Sequence, residues 1–348
     1  MLMSWIVSTI YPSDKRGQAK VSQLLEQEGI QKDGNLDYTC GIFNDAYELV
    51  ATGSCYGNTL RCLAVDSNHQ GEGLMNTVIT HLTSYQFEQG NTHLFLYTKP
   101  ESSPFFADLG FYEIARGNNI VFLENKKNGF QTYLNRLEKP KTSAKTIAAL
   151  VMNANPFTLG HLYLVEKAAK ENDLLHLFIV SEDSSLVPFS VRKQLVMAGT
   201  AHLDNIIYHD TESYMISQAT FPSYFQKDSE AVIRSQAAID LSIFTQIAKA
   251  LGITKRYVGE EPQSFVTNLY NQVMSELLPQ AGIDFVVIPR KTENDKAISA
   301  STVRQLIKDG QFDTLTNLVP ETTLAFFQKP EAKPIIDRIQ AEKNVIHY

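Results

Sequence analysis

The feature that most constrains the fold is an apolar run, Ile147–Met152, which leads through a short polar turn into a helix-like segment. A continuous apolar run of this length is typical of a strand buried on both faces of a parallel sheet. Val165 and Ala169 follow at helical spacing, and a second apolar run covers 174–180. The pattern therefore predicts a βαβ unit. Because such sheets bind ligands beyond the carboxyl ends of their strands, the turn after Met152 is the first candidate for a site.

The rest of the second half continues this alternation. Strand-like runs lie at 205–209, 256–260 and 284–289, and apolar residues at helical spacing between 233 and 251 predict one long helix. Alternating strands and helices favour a doubly wound, Rossmann-like parallel sheet.

The first half has a different pattern. β-rich runs at 38–43, 47–56 and 59–65 are separated by Asn-Asp and Gly-Asn turn signals, which predicts an antiparallel meander. A helix from Leu74 to Tyr85 and three short strands follow. The polar, Gly- and Pro-containing segment at 124–146 marks a boundary. The predicted fold class is α/β, with an α+β domain at 1–140 and a parallel-sheet domain at 141–348.

Composition narrows the function classes. The chain has 348 residues and a formal charge of −7, which argues against a broad basic surface and against nucleic acid as a partner. The cysteines Cys40, Cys55 and Cys62 fit neither a disulfide framework nor zinc spacing, so we expect no metal site and a reducing cytoplasm. No run approaches the roughly 20 apolar residues that a membrane helix needs. We expect a soluble, cytoplasmic protein.

The turn after Met152 has the composition of a phosphate site. Its residues are Asn153, Ala154, Asn155, Pro156, Phe157, Thr158, Leu159, Gly160 and His161. A helix N-terminus presents free N–H groups and partial positive charge to a phosphate. His161 can donate to a phosphate oxygen, and Thr158 adds a hydroxyl. In isolation such residues are more typical of a plain helix cap with a solvated histidine, but their place between a buried strand and a helix favours the phosphate site.

A second such turn, Ile298–Arg304, follows the last strand-like run. The hydroxyls of Ser299, Ser301 and Thr302 can cap a helix or bind phosphate oxygens, and the planar fork of Arg304 suits phosphate. Further positive charge lies nearby, although each of these side chains is also compatible with an ordinary surface position: Arg192, Arg290, Lys291 and Lys296.

Together, the two turns resemble the signatures of the HxGH-type nucleotidyltransferases, F-[DN]-P-x-[HT]-x-G-H and I-S-S-T-x-x-R. Ala154 stands where Phe is common, and Ala300 replaces the second Ser. The resemblance implies catalytic roles for His161, Thr158 and Arg304. It also implies that the remaining turn residues bind nucleotide, with a strand-end turn near the adenosine: Asn153, Ala154, Asn155, Pro156, Phe157, Gly160, Gly259, Glu260, Ser299, Ser301 and Thr302. That strand-end turn continues into Glu261 and Pro262.

The first half contains a glycine loop before its helix. Its residues, Gln70, Gly71, Glu72 and Gly73, resemble the pyrophosphate loop of GNAT acetyltransferases, and Phe105–Phe111 resembles that family's later L-G-F segment. Met75 stands where the family usually has Gly or Ala. No general base is evident, because Glu72, His81 and His93 are as readily structural. The resemblance implies a GNAT-like fold in which acetyl transfer to amines is lost or altered.

The pairing of these domains resembles the [citrate (pro-3S)-lyase] ligase family. The resemblance implies an acid–thiol ligase that uses ATP, with Mg²⁺ bound mainly through the phosphates, to convert acetate into acetyl-AMP. The acetyl group then passes to the thiol of the phosphoribosyl-dephospho-CoA arm on the acyl-carrier subunit of citrate lyase. We hypothesise that Gln70–Gly73 dock this arm.

Three alternatives stay open at the level of sequence. The chain could be an adenylyltransferase with a phosphate-bearing acceptor, or an N-acetyltransferase whose second domain senses nucleotide. It could also be a non-catalytic scaffold of the lyase complex.

Overall fold

The computed structural model describes residues 5–140, 144–215, 229–260, 265–293 and 296–345. The chain divides into two compact units, one formed by 1–133 and 222–242 and the other by 134–221 and 243–348. Each unit has its own sheet. The domain limits 1–140 and 141–348 stay a prediction. No helix within the described ranges is both long and apolar enough to span a membrane.

The first unit is built on a mixed sheet of seven strands in the order β1-β2-β3-β4-β5-β7-β6. Neighbouring strands are antiparallel except β4 and β5, which are parallel. The predicted meander is confirmed as β2, β3 and β4. The elements are β1 Val7–Thr9, α1 Lys15–Gln27, β2 Tyr38–Phe43, β3 Leu49–Tyr56, β4 Thr59–Val65, α2 Leu74–Glu88, β5 Phe95–Thr98, α3 Ser103–Asp108, β6 Tyr112–Arg116, β7 Val121–Glu124 and α4 Gly129–Arg136.

The helices of this unit bury narrow apolar faces. Leu74, Val78 and Leu82 of α2 recur every four residues and are buried. The sequence predicted this helix but neither β1 nor α1. Helix α1 is mostly polar, begins at the cap Asp14, whose carboxylate accepts from Gly17 N at 3.0 Å, and buries Val21 with two adjacent leucines.

The parallel strands β4 and β5 are paired at Thr59 with Phe95 and at Leu60 with Leu96. Strand β4 continues to Val65 beyond that pairing. The glycine loop Gln70–Gly73 lies between the end of β4 and the start of α2, so it stands at the carboxyl end of β4, where the two strands are no longer paired.

The second unit is built on a five-stranded, all-parallel sheet in the order β10-β9-β8-β11-β12. This confirms the predicted parallel sheet, and β8 lies at its centre. The elements are β8 Ile147–Met152, α5 Leu159–Lys170, β9 Leu174–Ile179, α6 Phe189–Gly199, β10 Ile206–Asp210, α7 Ser229–Leu251, β11 Lys255–Gly259, α8 Phe265–Leu277, β12 Asp284–Ile288, β13 Thr292–Glu293, β14 Lys296–Ala297, α9 Ala300–Lys308, α10 Glu321–Phe327 and α11 Lys333–Ala341.

This topology brings the two sequence motifs to one edge. The strands are parallel, so the turns after β8, β11 and β12 all leave the sheet at its carboxyl edge. The turn after β8 leads into α5, and the short β13–β14 hairpin after β12 leads into α9. Every residue of β9 is buried, which fixes the sheet as the core of the unit.

A pair of buried histidines joins β9 to β10. His176 Nδ1 and His209 Nε2 are 2.8 Å apart, and the two residues are 0% and 5% exposed. Burial lowers the pKa of His176 to about 4; burial, and then the neighbouring His176, lower the pKa of His209 to about 3. Both rings are therefore neutral near neutral pH.

Acid should destabilise the second unit through this pair. The unfolded chain binds protons at a pKa near 6.5, whereas the folded pair does so only well below, so stability present above about pH 6.5 is lost as the pH falls. Between about pH 7.5 and pH 5 we expect a loss on the order of 2 kcal/mol or more in the free energy of unfolding from urea titrations. His209→Gln should reduce that loss, whereas the exposed-site control His202→Gln should not. An equal loss in all three proteins would contradict this account.

Candidate nucleotide site

The starts of α5 and α9 touch each other at the carboxyl edge of the parallel sheet. A Cβ placed on Gly160 would lie 3.1 Å from the carbonyl oxygen of Ile298, the residue before the α9 cap. That distance is tighter than ordinary van der Waals contact, so glycine permits this close approach. The two motifs, more than a hundred residues apart in sequence, therefore form one continuous surface.

The buried side chain of Arg304, in α9, connects the two motifs by hydrogen bonds. Its Nη1 donates to the Asn155 carbonyl at 2.5 Å, and its Nε donates to the Val345 carbonyl at 2.6 Å. The side chain is only 3% exposed, and burial lowers its pKa to about 10, so it stays charged at neutral pH. The sequence suggested that this guanidinium faces phosphate. Its burial and its bonds to two carbonyls indicate a structural role, in which it holds the two motifs together.

Thr158 and His161 form a reciprocal cap at the start of α5. The His161 backbone N–H donates to Thr158 Oγ1 at 3.3 Å, and the Thr158 N–H donates to His161 Nδ1 at 3.1 Å. Because Nδ1 accepts a hydrogen bond from the backbone N–H of Thr158, the proton of the neutral ring is assigned to Nε2. Thr158 is 1% exposed, so its hydroxyl holds His161 in place.

The imidazole of His161 is kept neutral by its surroundings. Burial, and then the positive charges of Arg290 and Arg304, together lower its pKa to about 4. The residue is only partly buried, so its surface is accessible. A neutral imidazole with a proton on Nε2 is a hydrogen-bond donor that can face a phosphate oxygen without itself titrating.

Three hydroxyls cluster at the start of α9. Ser299 is the N-cap and accepts from Thr302 N at 3.1 Å. Its Oγ lies 2.9 Å from Ser301 Oγ and 2.8 Å from Thr302 Oγ1. These residues are partly or fully exposed, so the hydroxyls and the helix N-terminus present donors to solvent at the shared surface.

Hydrogen bonds also connect the ends of β11 and β12. Arg290 Nε donates to the Glu260 carbonyl at 2.9 Å, and Glu260 N donates to the Ile288 carbonyl at 2.8 Å. Gly259 and Glu260 therefore stand at the sheet edge as predicted from their place in the chain. Glu261, Pro262 and the Lys296 side chain lie outside the described residues, and Lys291 is exposed.

Several residues of the first motif are buried and face the core. Ala154, Asn155 and Phe157 are 1%, 3% and 0% exposed, and Pro156 is also buried. Phe157 packs beneath Gly199 and stacks on the His161 ring, with centroids 5.9 Å apart. These buried side chains support the turn from beneath, and the expectation that the turn residues bind nucleotide stays a prediction.

Arg192, which the sequence left open as either a ligand contact or an ordinary surface residue, is a second buried arginine with a structural role. It is 0% exposed and donates to four main-chain carbonyls, those of Asn153, Val180, Glu182 and Val187. Asn153, in turn, is partly exposed, and its Nδ2 lies 3.0 Å from Ser185 Oγ. No local sequence pattern identifies this structural role of Arg192, because the four carbonyls come from separate stretches of the chain.

In the first unit, the glycine loop is open. Gly71 and Gly73 have φ of +85° and +75°, the left-handed region that favours glycine, and an added Cβ would meet nothing within 4 Å. Gly73 is the N-cap of α2 and makes no side-chain cap. Glu72 lies 3.2 Å from His69 Nδ1, and Met75 packs partly into the core. Gln70 is exposed.

The same unit has a cavity of about 920 Å³ between β1, β2, α2 and the segment 32–37. The glycine loop does not line it. Its charged residues are Asp33, Asp37, Glu88 and Lys32, a balance unsuited to polyphosphate. His81 Nε2 lies 2.7 Å from Tyr38 OH there, and His93 pairs with Glu124 at 2.5 Å, so both histidines serve structural contacts.

The parallel sheet and the paired helix starts form the arrangement expected of the nucleotidyltransferase class. Within the described ranges there is no group of three or more His, Cys, Asp or Glu side chains that could hold a metal ion.

Comparison with known proteins identifies the family. A family model described as the citrate lyase ligase C-terminal domain matches residues 147–327. The chain is similar to a [citrate [pro-3S]-lyase] ligase of Haemophilus influenzae, at 39% identity over 91% of this chain and 97% of that protein. Proteins of the same name from Escherichia coli and Klebsiella pneumoniae are 37% and 38% identical, over 93% and 91% of this chain and 94% of each relative. The chain belongs to the citrate lyase ligase family.

Removing the Arg304 brace should destabilise the second unit. Arg304→Met leaves the buried carbonyls of Asn155 and Val345 without this donor, at a cost of about 2–4 kcal/mol. The same substitution at the exposed Arg338 of α11 should cost less than about 0.5 kcal/mol. Urea unfolding followed by circular dichroism measures both. Equal stability of the two variants would show that the Arg304 contacts are not structural.

Proposed function

We propose that this protein is an acid–thiol ligase that uses ATP and acetate to acetylate the thiol of the CoA-derived arm on the acyl-carrier subunit of citrate lyase. The observation that supports this most is the contact between the α5 and α9 starts, which places His161 and the Ser299–Thr302 hydroxyls on one surface. Membership of the citrate lyase ligase family supports the choice of acceptor.

In the first step, a carboxylate oxygen of acetate forms a bond to the α-phosphorus of ATP. The bond from that phosphorus to the bridging oxygen breaks, and pyrophosphate leaves with the electron pair. Such transfers depend on positioning and on stabilising the spreading negative charge. The Nε2–H of His161 supplies a preorganised donor to an α-phosphate oxygen, and Thr158 positions the ring through the cap.

The β- and γ-phosphates are held at the start of α9. The hydroxyls of Ser299, Ser301 and Thr302 and the first N–H groups of that helix face them. Arg304 acts as a positioning residue that fixes the two helix starts together. Mg²⁺ would be bound mainly through the phosphates themselves and would neutralise part of their charge.

In the second step, the arm's sulfur forms a bond to the acetyl carbonyl carbon, AMP leaves with the electron pair of the mixed anhydride, and the thiol proton passes to solvent. The open backbone at Gln70–Gly73 suits the pyrophosphate of that arm, because uncapped N–H groups at a helix start attract phosphate. The bulky Met75 is a departure from an ordinary acetyl-CoA loop.

The proposal is tested by mass spectrometry of the citrate lyase carrier after incubation with ATP, acetate and this protein. A gain of one acetyl group on the arm, dependent on both ATP and acetate, is expected. An unchanged carrier mass, or acetylation from acetyl-CoA without ATP, would overturn it in favour of a scaffold or an N-acetyltransferase.

Exchange of labelled pyrophosphate into ATP separates the ligase from an adenylyltransferase that uses a phosphate acceptor. We expect the exchange to require acetate. His161→Ala should lower the exchange rate by about 10²–10³-fold, because one transition-state donor is lost. His202→Ala, at an exposed site of the same unit, is the control and should retain the wild-type rate. Wild-type exchange in His161→Ala would rule out this role for the ring.

Docking of the arm is tested at the glycine loop. Gly73→Asp adds a negative charge where the arm's pyrophosphate binds, so kcat/KM for the carrier should fall about tenfold or more, while acetate-dependent exchange is retained. Gly90→Asp is a matched control, because Gly90 also has positive φ and open space around its Cβ position. Equal effects of the two variants on transfer, or loss of exchange in Gly73→Asp, would refute docking at this loop.

A further inference from the structure

Three arginines lie at the carboxyl edge of the parallel sheet, and they differ in burial. Arg192 and Arg304 are 0% and 3% exposed and donate to main-chain carbonyls of the turn after β8. Arg290 is only partly buried. A guanidinium that contacts a phosphate must present its donors at the surface, and of these three side chains Arg290 alone retains substantial accessible surface.

The backbone connects Arg290 to the start of α5. It follows β12 by two residues, at the edge where parallel strands open onto the ligand. The next residue, Lys291, accepts from Ile298 N at 3.1 Å, and the Ile298 carbonyl contacts Gly160 in the first turn of α5. Arg290 is therefore linked to the start of α5 through Lys291 and Ile298. Its positive charge is one of the causes of the lowered pKa of His161.

The anchor also orients the guanidinium. Its Nε donates to the Glu260 carbonyl at the end of β11, which spans the gap between two neighbouring strand ends. An arginine held at Nε keeps a planar fork in a defined orientation, so little side-chain entropy is lost when an anion binds. Lys291, the next residue, is exposed and is not part of the hydrogen bond between Arg290 and Glu260.

We infer that Arg290, and not Arg304, is the arginine that contacts the phosphates of ATP and stabilises the pyrophosphate as it leaves. This assignment rests on the proposed function. As the bond from the α-phosphorus to the bridging oxygen breaks, negative charge builds on the departing pyrophosphate. Arg290 supplies the positive charge for it, while the neutral His161 supplies a hydrogen bond at the α-phosphate. Arg290 thus acts on the leaving pyrophosphate, and His161 acts on the α-phosphate.

The test compares Arg290→Gln, Arg290→Lys and the neighbouring control Lys291→Gln in the full chain. Acetate-dependent exchange gives kcat and KM for ATP, and calorimetry gives the Kd of MgATP without any acceptor. In Arg290→Gln, kcat/KM should fall about 100-fold or more and MgATP binding should weaken. Arg290→Lys should recover part of the loss, and Lys291→Gln should stay within about threefold of wild type.

The pH profile separates an electrostatic role from a structural one. Removal of the Arg290 charge relieves one cause of the lowered pKa of His161, so the acidic limb of activity should move to higher pH in Arg290→Gln and less so in Arg290→Lys. An Arg290→Gln variant with wild-type kcat/KM and Kd would overturn the assignment, as would a Lys291→Gln variant equally impaired. Failure of the proposed function is distinct, since wild-type protein would then bind MgATP but show no acetate-dependent exchange.

Discussion

The buried guanidinium of Arg304 is the interaction on which the arrangement of the site depends. It connects the turn after β8 to α9 and to the chain near residue 345, through carbonyls 149 and 41 residues away in sequence. A buried charge is stable only when its hydrogen bonds are satisfied, so these bonds form together with the packed core. The two helix starts are consequently fixed relative to each other before any ligand binds, and this preorganisation is what charge stabilisation in a transfer reaction requires.

The charged and polar groups at this surface attract phosphate and at the same time keep His161 neutral. Fixed backbone donors at two helix starts and a partly exposed Arg290 attract phosphate, whereas His161 is prevented from becoming a cation by burial and by its arginine neighbours. The cap with Thr158 then decides which ring nitrogen bears the proton. Local helix capping and long-range electrostatics therefore act on the same imidazole, and both favour a neutral donor at Nε2.

Sequence patterns predicted the parts of this molecule that depend on local chemistry. The strands of the meander, the central strand of the parallel sheet and both motif turns have clear apolar periodicity or turn residues. Helix α1 was missed because only a few of its residues are apolar, and its burial depends on the sheet beneath it. The roles of Arg192 and Arg304 were equally inaccessible, since an arginine that binds phosphate and one that braces carbonyls look alike in sequence. Only the fold shows which carbonyls surround each guanidinium.

The most direct test of the account is nitrogen NMR of the His161 ring in labelled protein, recorded at neutral pH with and without MgATP. We expect a neutral ring protonated at Nε2 in the free protein and a change in the Nε2 resonance when MgATP binds. A charged ring, a ring protonated at Nδ1, or a resonance unaffected by saturating MgATP would contradict it.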